Sequence, residues 1–191
     1  MVATAWTKPS FEQEITNEMY LTGTRGLNCC IQCATCTAAC PAVEYMDMGP
    51  RKLIGLIKAG LRDEVLESNT FWVCASCFAC STHCPKGIKP SELMYVLKRY
   101  SMWKNRFRKD LVGPDFSRLF VRTIAKTGKS YEPGYAPAFI FEGGLGGLLR
   151  EMQWGMKLLA KGRLALIPAR IKRLKNFRQM LSRVIPLEGI A

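Results

Sequence analysis

The stretch that decides the fold is NCCIQCATCTAACP, residues 28–41, in which five cysteines fall within twelve residues. A second stretch, WVCASCFACSTHCP at residues 72–85, repeats the spacing. Both contain C-x2-C-x2-C-x3-C-P, with cysteines at 30, 33, 36 and 40 in the first run and at 74, 77, 80 and 84 in the second. Self-similarity of this kind indicates two copies of one ligand-bearing unit.

This spacing is typical of the cysteine runs that bind two [4Fe–4S] clusters in bacterial ferredoxins, where three cysteines of one run and the fourth of the other hold each cluster. The pattern therefore predicts two crossed ligand sets. The first is Cys30, Cys33, Cys36 and Cys84, and the second is Cys74, Cys77, Cys80 and Cys40. The proline after each fourth cysteine removes a backbone donor and helps to direct that cysteine towards the other cluster.

Structural zinc is the alternative explanation for so many thiols. A zinc site favours two C-x2-C pairs separated by a longer loop. Each run here has three evenly spaced cysteines and an offset fourth, and the arrangement occurs twice. The iron–sulfur interpretation is therefore preferred.

Several residues of the two runs are not needed as ligands. Cys29 is the extra cysteine, because Val73 occupies its place in the second run. We expect Cys29 to be a small buried apolar residue beside a cluster, with a shifted ligand register or a redox-sensitive thiol as alternatives. His83 is expected to be a surface residue or a donor to a cluster sulfur. Phe71 and Trp72 are expected to shield the second cluster from water.

The charge of the chain indicates a negatively charged partner or bound group. Lysine and arginine number 28 against 15 aspartates and glutamates, which gives a formal net charge of +13. Nucleic acid, acidic proteins and membrane surfaces all respond to such a charge. Binding of nucleic acid would favour aromatic residues interleaved with the basic ones, but the basic segment near the end offers only Phe177, on its apolar side. We predict no nucleic-acid partner.

The location of the protein is predicted to be cytoplasmic. The start of the chain lacks a basic leader followed by an apolar block, and no stretch has the roughly 18 consecutive apolar residues of a transmembrane helix. We therefore expect no transmembrane segment, although peripheral contact with a membrane stays open. In a reducing compartment the nine cysteines are better explained as metal ligands than as disulfides.

The segments around the cysteines have helical periodicity. Residues 51–68 carry apolar side chains at helical intervals, with Gly60 separating two short helices. Pro90 and Ser91 begin another helix, whose apolar face is predicted to extend to Trp103 and Phe107. Ser10 and Gln13 form a potential capping box for an earlier helix. The fold class is therefore predicted as all-α.

Three regions follow from these patterns: an N-terminal arm with a short helix at 1–25, a cluster domain at 26–108 and a basic C-terminal extension at 109–191. Glycine and proline predict a loop-rich segment at 128–147, without a phosphate-binding motif. A basic amphipathic helix is predicted to begin at Pro168, with a basic face that includes Arg170, Arg173 and Arg178. That helix either docks a partner or packs its apolar stripe on the core, with a solvated basic face.

The segments CIQCATCTAACP and WVCASCFACSTHCP, on either side of a helical linker, resemble the C subunit of heterodisulfide reductases over residues 26–100. They are more distantly similar to the iron–sulfur subunits of fumarate reductase and anaerobic glycerol-3-phosphate dehydrogenase. The resemblance implies an α-helical ferredoxin with two [4Fe–4S] clusters. It also implies electron transfer between a flavin-containing A subunit and a cysteine-rich B subunit that performs the disulfide chemistry.

The resemblance implies no catalytic residue in this chain, because it lacks the cysteine-rich signature of the B subunit. The chain is thus predicted to be a non-catalytic, electron-transfer subunit of an oxidoreductase complex. The basic tail is more similar to relatives from sulfur metabolism, in heterodisulfide-reductase-like complexes, than to the methanogen form. The alternative function is an iron–sulfur subunit of a flavin dehydrogenase that feeds quinone.

Overall fold

The structure is a computed structural model that describes residues 9–20, 23–135, 144–163 and 168–188. Within these residues every regular element is helical, which confirms the all-α class. The α-helices are α1 Phe11–Tyr20, α2 Thr35–Ala38, α3 Pro50–Lys58, α4 Arg62–Leu66, α5 Thr70–Val73, α6 Ala79–Thr82, α7 Pro90–Lys104, α8 Val112–Thr127, α9 Gly144–Ala160 and α10 Leu174–Glu188. The chain divides into two compact units, residues 1–109 and 110–191.

Helix α1 is set by the predicted capping box. The Ser10 backbone N–H donates to Gln13 Oε1 at 2.9 Å, and the Gln13 N–H donates to Ser10 Oγ at 3.3 Å. Each bond satisfies a donor that a helix N-terminus leaves without a partner. The helix buries Phe11, Ile15 and Met19 in the core of the first unit. α1 is therefore a structural part of that unit.

The linker between the cysteine runs forms two short helices, as predicted. α3 ends at Lys58 and α4 begins at Arg62, with Gly60 between them at φ +76°, a conformation that glycine adopts without steric cost. The apolar positions of both helices point into one core. Its buried members are Phe11, Ile15, Met19, Leu27, Leu53, Ile54, Ile57, Val65, Leu66, Phe71, Ile88, Leu93, Met94, Val96, Leu97 and Tyr100.

Helix α7 forms the central wall of this unit and begins at Pro90, as the sequence predicts. The prediction that the apolar face of α7 extends to Trp103 is wrong, because Trp103 is 56% exposed. Phe107 lies beyond the helix and contacts the Trp72 ring, with 6.4 Å between the ring centroids. Asn105 adopts the left-handed conformation at φ 51° and ends α7 before Phe107.

The second unit contains more helix than the sequence predicts. α8 is not among the predicted elements, and α9 begins at Gly144, inside the stretch expected to be loop-rich. A short 3₁₀ turn, Glu132–Tyr135, follows the left-handed Gly128. The last helix begins at Leu174 rather than at Pro168, since residues 168–173 are not helical. Residues 136–143 of the predicted loop lie outside the described residues.

The terminal basic helix packs on α8 within this unit. The Ile171 N–H donates to the Thr127 carbonyl at 3.1 Å, and Arg178 donates to the carbonyls of Ala125 and Lys126 at 3.3 and 2.9 Å. A cation that binds the last carbonyls of a helix also complements the helix dipole. Arg178, predicted to lie on the free basic face, therefore caps the end of α8 instead.

Candidate iron–sulfur sites

The two cysteine runs adopt the same unusual backbone. In each run two residues other than glycine have positive φ: Gln32 at 57° and Ala34 at 67° in the first, Ser76 at 56° and Phe78 at 62° in the second. Short helices, α2 and α6, begin directly after Ala34 and Phe78. Alternating left- and right-handed residues turn successive amides towards one point and create a concave site for negative charge. The runs are therefore shaped to surround an anionic group.

Eight of the nine cysteines line two cavities. The first, which we call site 1, is lined by Cys30, Cys33, Cys36 and Cys84. The second, site 2, is lined by Cys40, Cys74, Cys77 and Cys80. The structure thus brings together the two sets that the crossed pattern predicts, each with three cysteines from one run and the fourth from the other.

The arrangement fits a polynuclear cluster better than a single ion. Zinc needs four ligand atoms that converge on one point. The thiols instead surround two cavities, which suits iron–sulfur cubes with one ligand at each corner.

One thiol of each site, Cys36 in site 1 and Cys80 in site 2, has a pKa above its ordinary value. Burial raises the pKa of Cys36, and the neighbouring Cys30 and Cys33 raise it further. Burial likewise raises the pKa of Cys80, with additional repulsion from Cys74, Cys36 and Cys40. Thiolates so close together are stable only when a metal compensates their charge. Metal binding at either site would therefore favour the ionised form of these thiols.

The two sites lie next to each other in the fold. α2 packs against α6, so that Cys36 of site 1 comes within electrostatic range of Cys80 of site 2. Each site also has a solvent-exposed cysteine, Cys33 in site 1 and Cys77 in site 2. Both sites can therefore be approached from outside the protein.

The internal repeat extends beyond the cysteines to the helices α3 and α7. Both begin with a buried proline. Pro50 follows the three-cysteine run of site 1 but lines site 2, and Pro90 follows the three-cysteine run of site 2 but lines site 1. Four positions later, Ile54 lines site 1 and Met94 lines site 2. The cysteine runs are offset by 44 residues and these helices by 40. The segment between the fourth cysteine and the helix is four residues longer in the first half than in the second. A search for one constant spacing therefore does not detect that the helices are repeated.

The residue after each third cysteine ties its run to one of these helices. Thr37 Oγ1 accepts the Arg51 N–H at 3.0 Å, and Ser81 Oγ accepts the Ser91 N–H at 3.3 Å. The contact is tight in the first half, since a Cβ added at Gly49 would lie 2.5 Å from Thr37 Cγ2. These hydroxyls satisfy free donors at the starts of α3 and α7. They thereby fix the cysteine runs on the helical core.

A third link joins the end of the first run to the start of the second. Asp47 accepts hydrogen bonds from the Ser68 hydroxyl, the Asn69 N–H and the Thr70 hydroxyl, each at 2.9 Å. Partial burial raises the pKa of Asp47, but the bonds from Asn69, Thr70 and Ser68 lower it by more. The fold therefore favours the carboxylate, which holds α5 in place immediately before Cys74.

The sulfurs of site 1 receive two side-chain contacts that site 2 lacks at the equivalent positions. Gln32 Nε2 donates to Cys30 Sγ at 3.5 Å, and Cys33 Sγ lies 3.3 Å from Thr35 Oγ1. The Thr35 hydroxyl lowers the pKa of Cys33. The residues at the same places in the second run are Ser76 and Ala79. The sequence shows these differences, but only the structure shows which atoms are in contact.

Two expectations for residues near the sites are corrected, and His83 lies at the surface, one of its two expected places. Cys29 is exposed rather than buried and lines neither site. Phe71 is fully buried in the core, and neither it nor Trp72 lines site 2, whose aromatic cover comes from Phe78. His83 is exposed, and its Nδ1 lies 2.9 Å from the Ala79 carbonyl, which places the ring against α6.

Comparison with known proteins gives two kinds of match. Residues 26–88 match the family described as 4Fe-4S dicluster domain. Among curated proteins, the C subunit of the ferredoxin:CoB-CoM heterodisulfide reductase of Methanosarcina acetivorans is 38% identical over 77 residues, 40% of this chain and 31% of the relative. The C subunit of the H(2):CoB-CoM heterodisulfide,ferredoxin reductase of Methanothermobacter marburgensis is 32% identical over 91 residues, 48% of this chain and 49% of the relative.

A protein of Archaeoglobus profundus, described as like the C subunit of heterodisulfide reductase, is 36% identical over 78 residues, which cover 40% of this chain and 42% of the relative. The matches thus span between about a third and half of the length of these relatives. The family match, residues 26–88, contains both cysteine runs. No helix in the described part of the chain has the length and apolar character needed to cross a bilayer.

Proposed function

We propose that the protein, whose dicluster part is similar to the C subunits of heterodisulfide reductases, relays single electrons through two [4Fe–4S] clusters inside a heterodisulfide-reductase-like complex. The observation that supports this most directly is the sharing of cysteines between two adjacent sites. Each run needs the other to complete its site, which makes the two sites one structural unit.

The proposed ligands are Cys30, Cys33, Cys36 and Cys84 in site 1 and Cys40, Cys74, Cys77 and Cys80 in site 2. A bound [4Fe–4S] cluster supplies reversible uptake of one electron at a potential that the protein sets. The chain contributes the thiolates, the left-handed turns that present its amides and the short path between Cys36 and Cys80. The helical core holds both runs at fixed positions, which keeps structural change on electron transfer small.

Substrate chemistry is assigned to a partner. Eight cysteines line the two sites, and the remaining one, Cys29, is exposed and has no second free cysteine to pair with. The partners proposed are a flavoprotein similar to the A subunit and a cysteine-rich protein similar to the B subunit, in the cytoplasm and in sulfur metabolism. The C-terminal extension, residues 109–191, is the proposed docking region. Two clusters would lower the formal charge of +13 to about +9, which leaves a basic surface for partners.

The test is anaerobic purification of the full chain with its co-purifying subunits. Iron and sulfide analysis should give about eight irons per chain, and EPR of the reduced protein should show two interacting [4Fe–4S] centres. Zinc, or about four irons, would contradict the proposal. A co-purifying protein with the cysteine-rich signature of the B subunit supports the reductase complex. A flavoprotein together with a membrane anchor would instead indicate the flavin dehydrogenase that feeds quinone.

A further inference from the structure

The two sites share their cysteine geometry but differ in charge at equivalent positions. Arg51, the second residue of α3, lines site 1, whereas Ser91, the second residue of α7, lines site 2. Lys86, two residues after Cys84, lines site 1, whereas the residue two places after Cys40 in site 2 is an alanine. Site 1 is thus lined by two cations, and no charged residue in the described part of the chain lines site 2.

Arg25 adds a third cation to this surface. Its Nη1 donates to the Lys86 carbonyl at 3.4 Å, and a Cβ at Gly87 would lie 3.8 Å from its Nε. Arg25, Arg51 and Lys86, which we call the basic rim, are all exposed. The rim lies beside the exposed Cys33 and one exposed large apolar residue, Ile31, at 57% exposure.

Among the residues that the structure describes, no carboxylate forms an ion pair with the rim. Other arginines of the same unit are paired: Arg62 with Glu14 at 3.0 Å and Arg99 with Glu18 at 2.8 Å. Those acidic residues are therefore engaged in structural pairs elsewhere. The rim is left as a cluster of cations without carboxylate partners at the edge of a redox site.

Compensation of the cluster charge does not explain the rim. Site 2 is lined by the same number of cysteines, from the same backbone turns, with neutral residues at the positions of Arg51 and Lys86. A requirement common to both clusters would have placed cations at these two positions in both sites. The difference therefore points to something outside the chain that meets site 1 alone.

We propose that the basic rim is the docking surface for an acidic electron-transfer protein, which exchanges electrons with this chain through site 1. This inference rests on the proposed function, because it presumes a cluster in that site. Cations without carboxylate partners beside an exposed cysteine steer an acidic surface to the point of closest approach to the redox group.

A protein surface fits the rim better than a membrane or a nucleic acid. Binding in the plane of a membrane needs a broad apolar face, and the rim has only Ile31 beside it. Binding of single strands relies on stacking aromatics. The exposed aromatic pair of this region, Phe78 and Tyr95 with ring centroids 6.5 Å apart, lies at site 2 instead. The two sites thus present different surfaces, a basic one at site 1 and an aromatic one at site 2.

The test replaces two residues of the basic rim by the residues found at the equivalent positions of site 2, in the variant Arg51→Ser/Lys86→Ala, called the rim variant. The matched control is Lys52→Ser/Lys109→Ala, which removes two exposed cations of the same unit that line neither site. The reduced full-length protein is mixed in a stopped-flow instrument with soluble, acidic cytochrome b5 or with a basic c-type cytochrome. One electron leaves the protein and converts ferric haem to ferrous haem.

With the acidic probe, we expect the wild-type rate constant to fall about tenfold or more as salt rises to about 0.5 M. The rim variant should be about three- to tenfold slower at low salt, and the control should stay within about twofold of wild type. The basic probe should react as fast with the rim variant as with wild type, or faster. Equal losses of rate constant in both double variants would show that only the net charge of the protein matters, and would overturn the proposal.

Two further measurements separate the possible failures. Iron analysis and EPR of each sample test the clusters: a chain without two clusters contradicts the proposed function, whereas intact clusters with unchanged rates contradict the rim alone. Co-sedimentation with vesicles that contain phosphatidylserine tests a membrane occupant. If the rim variant loses vesicle binding while its cytochrome rates stay unchanged, the partner of the rim is a lipid surface and not an acidic protein, and the proposal is overturned.

Discussion

Lys58 and Lys98 occupy equivalent places in the two halves of the cluster-binding unit: each Nζ donates to the carbonyl oxygen of the first cysteine of a run, Cys30 and Cys74, at 3.4 Å. Each lysine is the ninth residue of a helix that begins with proline. The environments differ, since Lys58 is exposed and Lys98 is half-buried. Burial lowers the pKa of Lys98, against the opposing effect of Cys74.

The first prediction concerns the crossed ligands. Cys40→Ser should remove the cluster of site 2, although Cys40 belongs to the first run, because it completes the set of Cys74, Cys77 and Cys80. The iron content should fall from about eight towards about four. Cys29→Ser is the matched control and should leave both clusters, since Cys29 lines neither site. Iron analysis and EPR measure the result, and the opposite pattern would refute the assignment.

The second prediction compares the two lysines. Lys98→Gln should lower the reduction potential of the site 2 cluster by on the order of 50 mV, because a cation in a half-buried place stabilises the more negative, reduced state. Lys58→Gln should change the site 1 potential less, since water screens the exposed Lys58. EPR-monitored redox titration measures both, and the Cys40→Ser variant identifies the signal of site 1. Equal shifts would contradict the role of burial.

The third prediction concerns the hydrogen bonds to sulfur in site 1. Gln32→Ser/Thr35→Ala gives the first run the residues of the second, where Ser76 has nearly the same φ as Gln32. Loss of two donors to cysteine sulfurs should lower the potential of the site 1 cluster by tens of millivolts, about 20–60 mV per bond at most. The site 2 potential should stay constant in the same titration. A change in both signals would indicate a general distortion.

The fourth prediction concerns the hydroxyl that caps α3. Thr37→Val keeps the methyl group against Gly49 but removes the acceptor of the Arg51 N–H. The variant should lose about 0.5–2 kcal/mol in the free energy of unfolding. Thr37→Ser keeps the acceptor and should lose less. Anaerobic urea unfolding followed by circular dichroism compares them, and a more stable valine variant would show that the cap contributes nothing.

The fifth prediction follows from the lowered pKa of Asp47. The stabilisation is fully present above the ordinary aspartate pKa of about 3.9 and is lost only as pH falls through the lower pKa of the folded state. Asp47→Asn should therefore destabilise the protein at about pH 7 by about 1–3 kcal/mol, measured by the same urea unfolding. Asp63→Asn, which removes an exposed ion pair with Arg106, should change stability by less than about 1 kcal/mol. Similar losses would contradict this ranking.

Local patterns explain what could be predicted. The helices α3, α4 and α7 follow from apolar periodicity, and the capping box at Ser10 defines the start of α1. The helices α8 and α9 were missed, because Gly113 and Pro114 open the first and glycines open the second. Glycine and proline disfavour helix interiors but are tolerated in a first turn. The late start of α10 reflects a tertiary contact, in which Ile171 packs at Gly128.

The sequence by itself determined the cofactor class, because ligand identity and spacing are local properties that recur in both runs. It also determined the helical class, since apolar periodicity is local too. Only the tertiary structure decided that Cys29 is exposed, that Arg178 caps α8 and that Lys58 and Lys98 are equivalent. The tertiary structure alone also showed that Arg51 and Ser91 occupy equivalent positions in the two halves of the repeat. These relationships depend on which distant residues meet when the core closes, and spacing along the chain does not encode that directly.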